Sequence, residues 1–215
     1  GNSSLTGGEG DDTLEGWEGN NTMEGGAGND TLDDKYGFNT MDGGEGDDLL
    51  NGLSFNVMDC GAGNDTLSGY MYNTMRGGEG DDLYVLESTD NVVEESAGEG
   101  YDTVHAAVNC VLTDNVEDLV LLDVPEALKG TGNDLDNVIT GNSFDNELNG
   151  AGGNDTLQGG AGNDELDGGD GEDVVYGGIG SDLLSGGDLS DSLYGDEDDD
   201  TLIGGAYHDT LNGGA

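Results

Sequence analysis

The chain has 215 residues and a formal net charge of −46, from 49 acidic residues against 3 basic ones, with 44 glycines, 1 proline and 32% hydrophobic residues. Such a charge repels phosphate backbones and anionic membrane surfaces, which argues against nucleic acid as a partner, and no apolar run approaches the roughly 18 residues of a membrane-spanning helix. Composition alone would describe a disordered acidic linker; the order of the residues does not.

From Gly7 the chain divides into nines: GGEGDDTLE, GWEGNNTME, GGAGNDTLD, DKYGFNTMD, GGEGDDLLN, then GLSFNVMD (one residue short), CGAGNDTLS, GYMYNTMR (one short) and GGEGDDLYV. The pattern is G-G-x-G-x-D-x-U-x, with U apolar. Six residues rich in Gly, Asn and Asp make a tight turn, because these types tolerate positive φ. The next three predict a short strand whose middle side chain faces inward. That inward series is Leu14, Met23, Leu32, Met41, Leu50, Met58, Leu67, Met75 and Tyr84. One large apolar residue in nine is too sparse for an ordinary core. It suffices if the chain winds so that like residues stack, two nonapeptides to a coil, with strands in two parallel sheets and turns along two edges.

Turns on one edge are then alternate repeats. One edge carries Asp12, Asp30, Asp48, Asp65 and Asp82; the other carries Asn21, Asn39, Asn56 and Asn73. Stacked Asn amides can hydrogen-bond along such a ladder. Leu accompanies the Asp turns and Met, an adaptable filler, the Asn turns, so Met23, Met41, Met58 and Met75 are read as core. The Asn edge also collects Trp17, Tyr36, Phe38, Phe55, Tyr70, Met71 and Tyr72 in turn positions. Two readings stand: a row of exposed rings forming a binding or lateral-assembly surface, or rings folded down to cap the shorter turns.

Residues 86–131 lack the repeat. YVLES, DNVVEE, YDTVHAAVNCVL and VEDLVLL alternate or run apolar, as strands do, and predict either longer strands extending the roll or a small added β layer. Pro125 falls in a loop and His105 on a strand face. Cys60 and Cys110 could bridge only if this stretch folded back on the first array; unpaired thiols or contacts between chains are the alternatives.

A second array runs from Gly132: GNDLDNVIT, GNSFDNELN, GAGGNDTLQ, GGAGNDELD, GGDGEDVVY, GGIGSDLLS, GGDLSDSLY, GDEDDDTLI and GGAYHDTLN. Its inward residues are Ile139, Leu148, Leu157, Leu166, Val175, Leu184, Leu193, Leu202 and Leu211. Asp155, Asp164, Asp173, Asp182, Asp191, Asp200 and Asp209 fall on both edges, whereas the entry turns carry Asn137 and Asn146. Leu189, Asp198 and Tyr207 replace the fourth-position glycine in the last turns, which puts those sites in question. His208 is read as a loop residue.

These in-register repeats resemble the RTX (repeats-in-toxin, haemolysin-type) calcium-binding family. The resemblance implies an all-β, right-handed parallel β-roll solenoid in two blocks, 1–85 and 132–215, joined by a non-repetitive β-strand insert at 86–131. It also implies Ca²⁺ between successive turns of one edge, held by backbone carbonyls and sixth-position carboxylates; calcium takes six to eight oxygens at about 2.3–2.6 Å. Carried onto this chain, the metal positions of the first block are Gly8, Gly10, Asp12, Gly26, Gly28, Asp30, Gly44, Gly46, Asp48, Gly61, Gly63, Asp65, Gly78, Gly80 and Asp82, all on one edge. Those of the second block are Gly153, Asp155, Gly160, Gly162, Asp164, Gly169, Gly171, Asp173, Gly178, Gly180, Asp182, Gly187, Asp191, Asp200 and Asp209, on both edges. Pairing turns along each edge gives on the order of 10 ions, cancelling roughly 20 negative charges, so folding is expected to depend on calcium.

No Ser-His-Asp elbow and no HExxH appears, and Lys35, Arg76 and Lys129 are too few to grip a phosphorylated substrate, so no enzyme is expected. Joined tail to head, the termini read GGAGNSSLT in register, which suggests one period of an end-to-end array. The expected function is a secreted calcium-binding structural protein that stiffens on Ca²⁺, in an extracellular filament, surface layer or adhesin. The alternative is a C-terminal calcium-binding and secretion module of a type I-secreted enzyme or toxin. Either places the chain outside a bacterial cell or on its surface, where calcium can load modules with Kd near about 10⁻⁴–10⁻³ M.

Overall fold

A computed structural model describes residues 1–215, with 24 β-strands and no helix. The chain divides into two compact units, Gly1–Val104 and His105–Ala215.

The first unit contains β1 (Ser4–Glu9), β2 (Thr13–Glu18), β3 (Thr22–Ala27), β4 (Thr31–Tyr36), β5 (Thr40–Glu45), β6 (Leu49–Ser54), β7 (Val57–Ala62), β8 (Thr66–Met71), β9 (Thr74–Glu79), β10 (Leu83–Leu86) and β11 (Val92–Val93). The odd strands form a parallel sheet in the order β1-β3-β5-β7-β9-β11, and the even strands pair as β2-β4-β6-β8-β10. Each strand pairs with the one a full coil away, Met23 with Met41 and Leu14 with Leu32. Where a coil contains a turn one residue short, the register absorbs it: Met41 pairs with Met58 and Leu50 with Leu67. Methionines of one sheet thus face leucines of the other, and Met23, Met41, Met58, Met75, Leu32, Leu50, Leu67 and Tyr84 are fully buried.

The repeat strands are mostly six residues long, twice the three expected from the pattern. The first three turn positions remain extended and paired, as in Gly8 with Gly26 and Glu9 with Ala27. The bend is therefore confined to the last turn residues, and the first-position residue becomes a second inward-facing site in each strand.

The second unit is built in the same way. β12 (Thr103–Ala106) carries the boundary. It is followed by β13 (Cys110–Val111), β14 (Asp118–Leu121), β15 (Lys129–Thr131), β16 (Val138–Thr140), β17 (Glu147–Gly152), β18 (Thr156–Ala161), β19 (Glu165–Asp170), β20 (Val174–Ile179), β21 (Leu183–Asp188), β22 (Ser192–Glu197), β23 (Thr201–Gly205) and β24 (Thr210–Asn212). Its columns are β13-β15-β17-β19-β21-β23 and β14-β16-β18-β20-β22-β24. Leu119, Ile139, Leu157, Val175 and Leu193 face Leu148, Leu166 and Leu184 in the core.

The insert therefore extends sheets, but with strands of two to four residues, not the longer ones expected; its extra residues lie in loops such as 94–102 and 122–128. Cys60 and Cys110 are both buried free thiols. No helix is long and apolar enough to cross a membrane.

Candidate metal sites

The sixth-position residues form continuous ladders. Each accepts, through Oδ1, the backbone N–H of its counterpart in the coil before: Asp12 N to Asp30 at 2.7 Å, Asp30 N to Asp48 at 2.7 Å, Asp48 N to Asp65 at 2.6 Å and Asp65 N to Asp82 at 2.7 Å. In the second unit one edge runs Asn137, Asp155, Asp173, Asp191, Asp209 and the other Asn146, Asp164, Asp182, Asp200, by the same bond. The stacking repeats at the glycines. Gly8, Gly26, Gly44, Gly61 and Gly78 align along the edge, and a Cβ on Gly26, whose φ is 119°, would lie 2.2 Å from the Gly8 carbonyl oxygen. Gly10, Gly28, Gly46, Gly63 and Gly80 form a parallel column.

The second carboxylate oxygen decides what these turns need. Oδ2 of Asp30, Asp48, Asp65, Asp82, Asp155, Asp164, Asp173, Asp182, Asp191 and Asp200 is buried without a hydrogen-bond partner. Ten buried carboxylate oxygens without a partner are a cost to the fold, since burying a polar or charged group uncompensated is unfavourable. Burial, with help from neighbouring carboxylates, pushes Asp82 and Asp155 up to about 7 and Asp65, Asp164 and Asp173 up to about 6, against the lowering effect of their backbone N–H bonds. Oxygen-only, multiply negative turns in close register fit a hard divalent cation. First-position glycine makes the room: a Cβ on Gly43 would meet Asp48 Oδ2 at 2.3 Å. Cys60 alone in the first block's Asp-edge column carries a side chain there, and burial raises its thiol pKa.

The Asn turns solve the same problem internally. Asn21 donates its N–H to Asn39 Oδ1 at 2.7 Å, and Asn56 likewise to Asn73 at 3.0 Å. Among their amide nitrogens, Asn39 Nδ2 donates to Asn56 Oδ1 at 2.8 Å and Asn73 Nδ2 to Gly52 O of the preceding coil at 3.3 Å, whereas Asn56 Nδ2 is buried without a partner. Asn137 Nδ2 donates to Val116 O and Glu117 O at 3.2 and 3.0 Å. One column position on this edge is unusual. Asp34 stands where Gly16 and Gly52 do, buried, with Asn21 and Asn39 donating to its two oxygens; burial raises its pKa.

The late turns keep their shape. Leu189, Asp198 and Tyr207 adopt φ of 77°, 82° and 73°, the left-handed conformation a glycine would take, at a cost of about 1–2 kcal/mol each. Their ladder bonds, Asp182 N to Asp200 and Asp191 N to Asp209, are 3.0 and 3.2 Å. His208 is exposed.

Several site residues lie outside the repeat pattern as first read. Asp102 continues the first ladder, accepting from Asp82 N at 2.9 Å, and Gly100 stacks on the Gly80 carbonyl. The signal was in the sequence: GEGYDTVH, Gly98 to His105, fits the nonapeptide from its second position onward with Val104 inward, while the structure places Glu95 in the first-position column, three residues before Gly98. Asn91 extends the Asn ladder in the same way. The turn aromatics do not fold into the core. Trp17, Tyr36, Phe38, Phe55, Tyr70 and Tyr72 are exposed, with Phe38 on Phe55 at 5.1 Å, Phe55 stacked on Tyr72 at 4.9 Å, and Lys35 over Trp17 at 4.8 Å.

Residues 1–32, 24–58, 131–166, 149–184, 158–193 and 194–215 match the RTX calcium-binding nonapeptide repeat in its four-copy form, together well over half of the chain. The chain belongs to the RTX calcium-binding repeat family. No curated protein matches it. RTX repeats are Ca²⁺-binding β-roll elements, and within the first unit the same turns continue beyond the matched stretches, at Asp65, Asp82 and Asp102.

Proposed function

We propose that this RTX roll is a secreted, calcium-dependent structural element. The observation that carries the reading is the set of ten partnerless buried Asp oxygens, which set the folded state against itself at neutral pH until cations fill the turns. On this reading Ca²⁺ sits between successive Asp turns on one edge of the first unit and both edges of the second. The ligands are the sixth-position carboxylates and the carbonyls of the glycine columns, and on the order of 10 ions bind in all.

Metal-free turns lie elsewhere, at Asn21, Asn39, Asn56, Asn73, Asn137 and Asn146. The filled roll serves in an end-to-end array, as an extracellular filament, surface layer or adhesin. Parallel ladders that add coils without a change of geometry support that role. A lateral contact at the aromatic Asn edge is part of the proposal. It is supported by the stacked exposed rings, a groove of about 480 Å³ bounded by Lys35, Tyr36, Phe38, Leu53, Phe55 and Tyr70, and the absence of charged residues from turns 52–56 and 69–73.

The test is a calcium titration of the chelated full chain, followed by far-UV circular dichroism, hydrodynamic radius and bound-metal analysis. The expected result is an expanded chain in EGTA that compacts as calcium fills the turns and then associates. A chain equally compact after every ion is stripped overturns the calcium reading. A monodisperse monomer in saturating calcium overturns the array.

A further inference from the structure

The Asp102 rung differs from every other on its edge. In the column of Gly25, Gly43 and Gly77, the residue one coil beyond Gly77 is Glu95: Val93 pairs with Met75, Glu94 bonds Met75 O, and Gly77 N lies 3.4 Å from Glu95 Oε1. A bulky acid thus stands where glycine elsewhere leaves room for the Asp oxygen. Six residues separate Glu95 from Asp102, against four between Gly77 and Asp82, so this loop is wide enough for a longer side chain. One carboxylate oxygen each from Asp82, Glu95 and Asp102 lie within 4.8 Å of one another. Asp82 is only 2% exposed, and its Oδ2 has no hydrogen-bond partner.

Tyr84 explains how Glu95 is held. It replaces the leucines of its column, is fully buried, accepts the Gly77 N–H at 2.6 Å and donates its hydroxyl to Glu95 Oε1. A leucine at this position would leave the Glu95 carboxylate without that anchor.

We propose that Asp82, Glu95 and Asp102 form a further divalent-cation site for calcium, in which Glu95 is a ligand from outside the nonapeptide pattern and Tyr84 its positioning residue. The site rests on the calcium reading of the same edge. Three carboxylates converge on it, where the regular rungs bring two, and calcium affinity rises with the number of charged ligands. The competing arrangement is a neutral Glu95 acting as a plug, as the Asn side chains do on the other edge.

The experiment uses the full chain and three variants: Glu95→Gln, Tyr84→Phe and, as a neighbouring control, Glu94→Gln. Bound calcium is counted by equilibrium dialysis with elemental analysis, and affinity is measured by competition with a chromophoric chelator. Glu95→Gln keeps shape and hydrogen bonding, so a plug would be unaffected. The expected result is one ion fewer, or that ion held ~10-fold or more weakly. Tyr84→Phe keeps the ring in the core and all three carboxylates in the chain, and removes only the hydroxyl that anchors Glu95. It is expected to retain the full count while weakening the same ion about tenfold. Glu94→Gln is expected to match the parent chain. If the parent fills its turns and Glu95→Gln binds the same number equally tightly, this site is overturned and the calcium edge stands. If the parent binds no calcium, both fall.

Discussion

Asn137 donates its backbone N–H to Asp155 Oδ1 at 2.7 Å, and the two side chains occupy equivalent places in successive coils. Asn137 turns its Nδ2 onto the carbonyls of Val116 and Glu117; Asp155 has no partner for its Oδ2. The amide supplies from within the chain the positive end that, on the proposed reading, a cation supplies at the Asp rung. Replacing Asp155 by Asn is therefore expected to remove calcium from that rung yet leave a roll that still folds in calcium. Asp155→Ala, which loses the Asn137 bond as well, should destabilise by about 1–3 kcal/mol. Metal counts and denaturant unfolding in saturating calcium check both.

The raised carboxyl pKa values set a pH dependence for the chelated chain. An Asp whose pKa is higher in the roll than in the open chain favours the roll fully below the open-chain value near 3.8, and that contribution is lost as pH rises through the folded value. Asp65, Asp164 and Asp173 reach about 6, and Asp82 and Asp155 about 7. Calcium-free chain is thus expected to gain β structure on acidification between about pH 7 and 4, and calcium affinity to weaken over the same window. Circular dichroism of metal-free protein across that range is the measurement; a chain most ordered at pH 8 without metal contradicts it.

The stacked core is sensitive to volume. Leu50 and Met58 face each other's sheets, fully buried. In saturating calcium Leu50→Ala should cost about 2–5 kcal/mol, while Met58→Leu, nearly equal in volume, should cost less than about 1.5 kcal/mol. Chemical denaturation at fixed free calcium reads both.

Cys60 and Cys110 are free and buried, and burial pushes the Cys110 thiol up to about 11. Neither is expected to react with a thiol reagent at pH 8 in calcium, and both should react on chelation. Counting labelled thiols by mass spectrometry in the two states tests whether the metal controls the fold as a whole.

Phe55 and Tyr72 sit at φ of 62° and 57°, a conformation asparagine tolerates better than an aromatic residue. Phe55→Asn with Tyr72→Asn is therefore expected to leave calcium-dependent folding intact while reducing lateral association of rolls. Light scattering in calcium is the check, and association undiminished by the pair would remove this edge as the contact.

The nonapeptide period by itself determined the parallel two-sheet winding, the Leu and Met columns and the division of Asp from Asn turns. Each depends only on which residues recur at a fixed spacing, and a roll translates spacing directly into stacking. Tertiary structure decided what periodicity cannot encode. The six-residue strands arise because in-register pairing carries through Gly8 and Gly26. Asp34 lies buried between Asn21 and Asn39, and the turn at Asp102 joins the ladder although its repeat is stretched. Glu95 meets Asp82 and Asp102 across a loop whose length breaks the pattern. These contacts are made between coils, where position is set by the register of neighbouring strands, so only the wound chain brings their partners within reach.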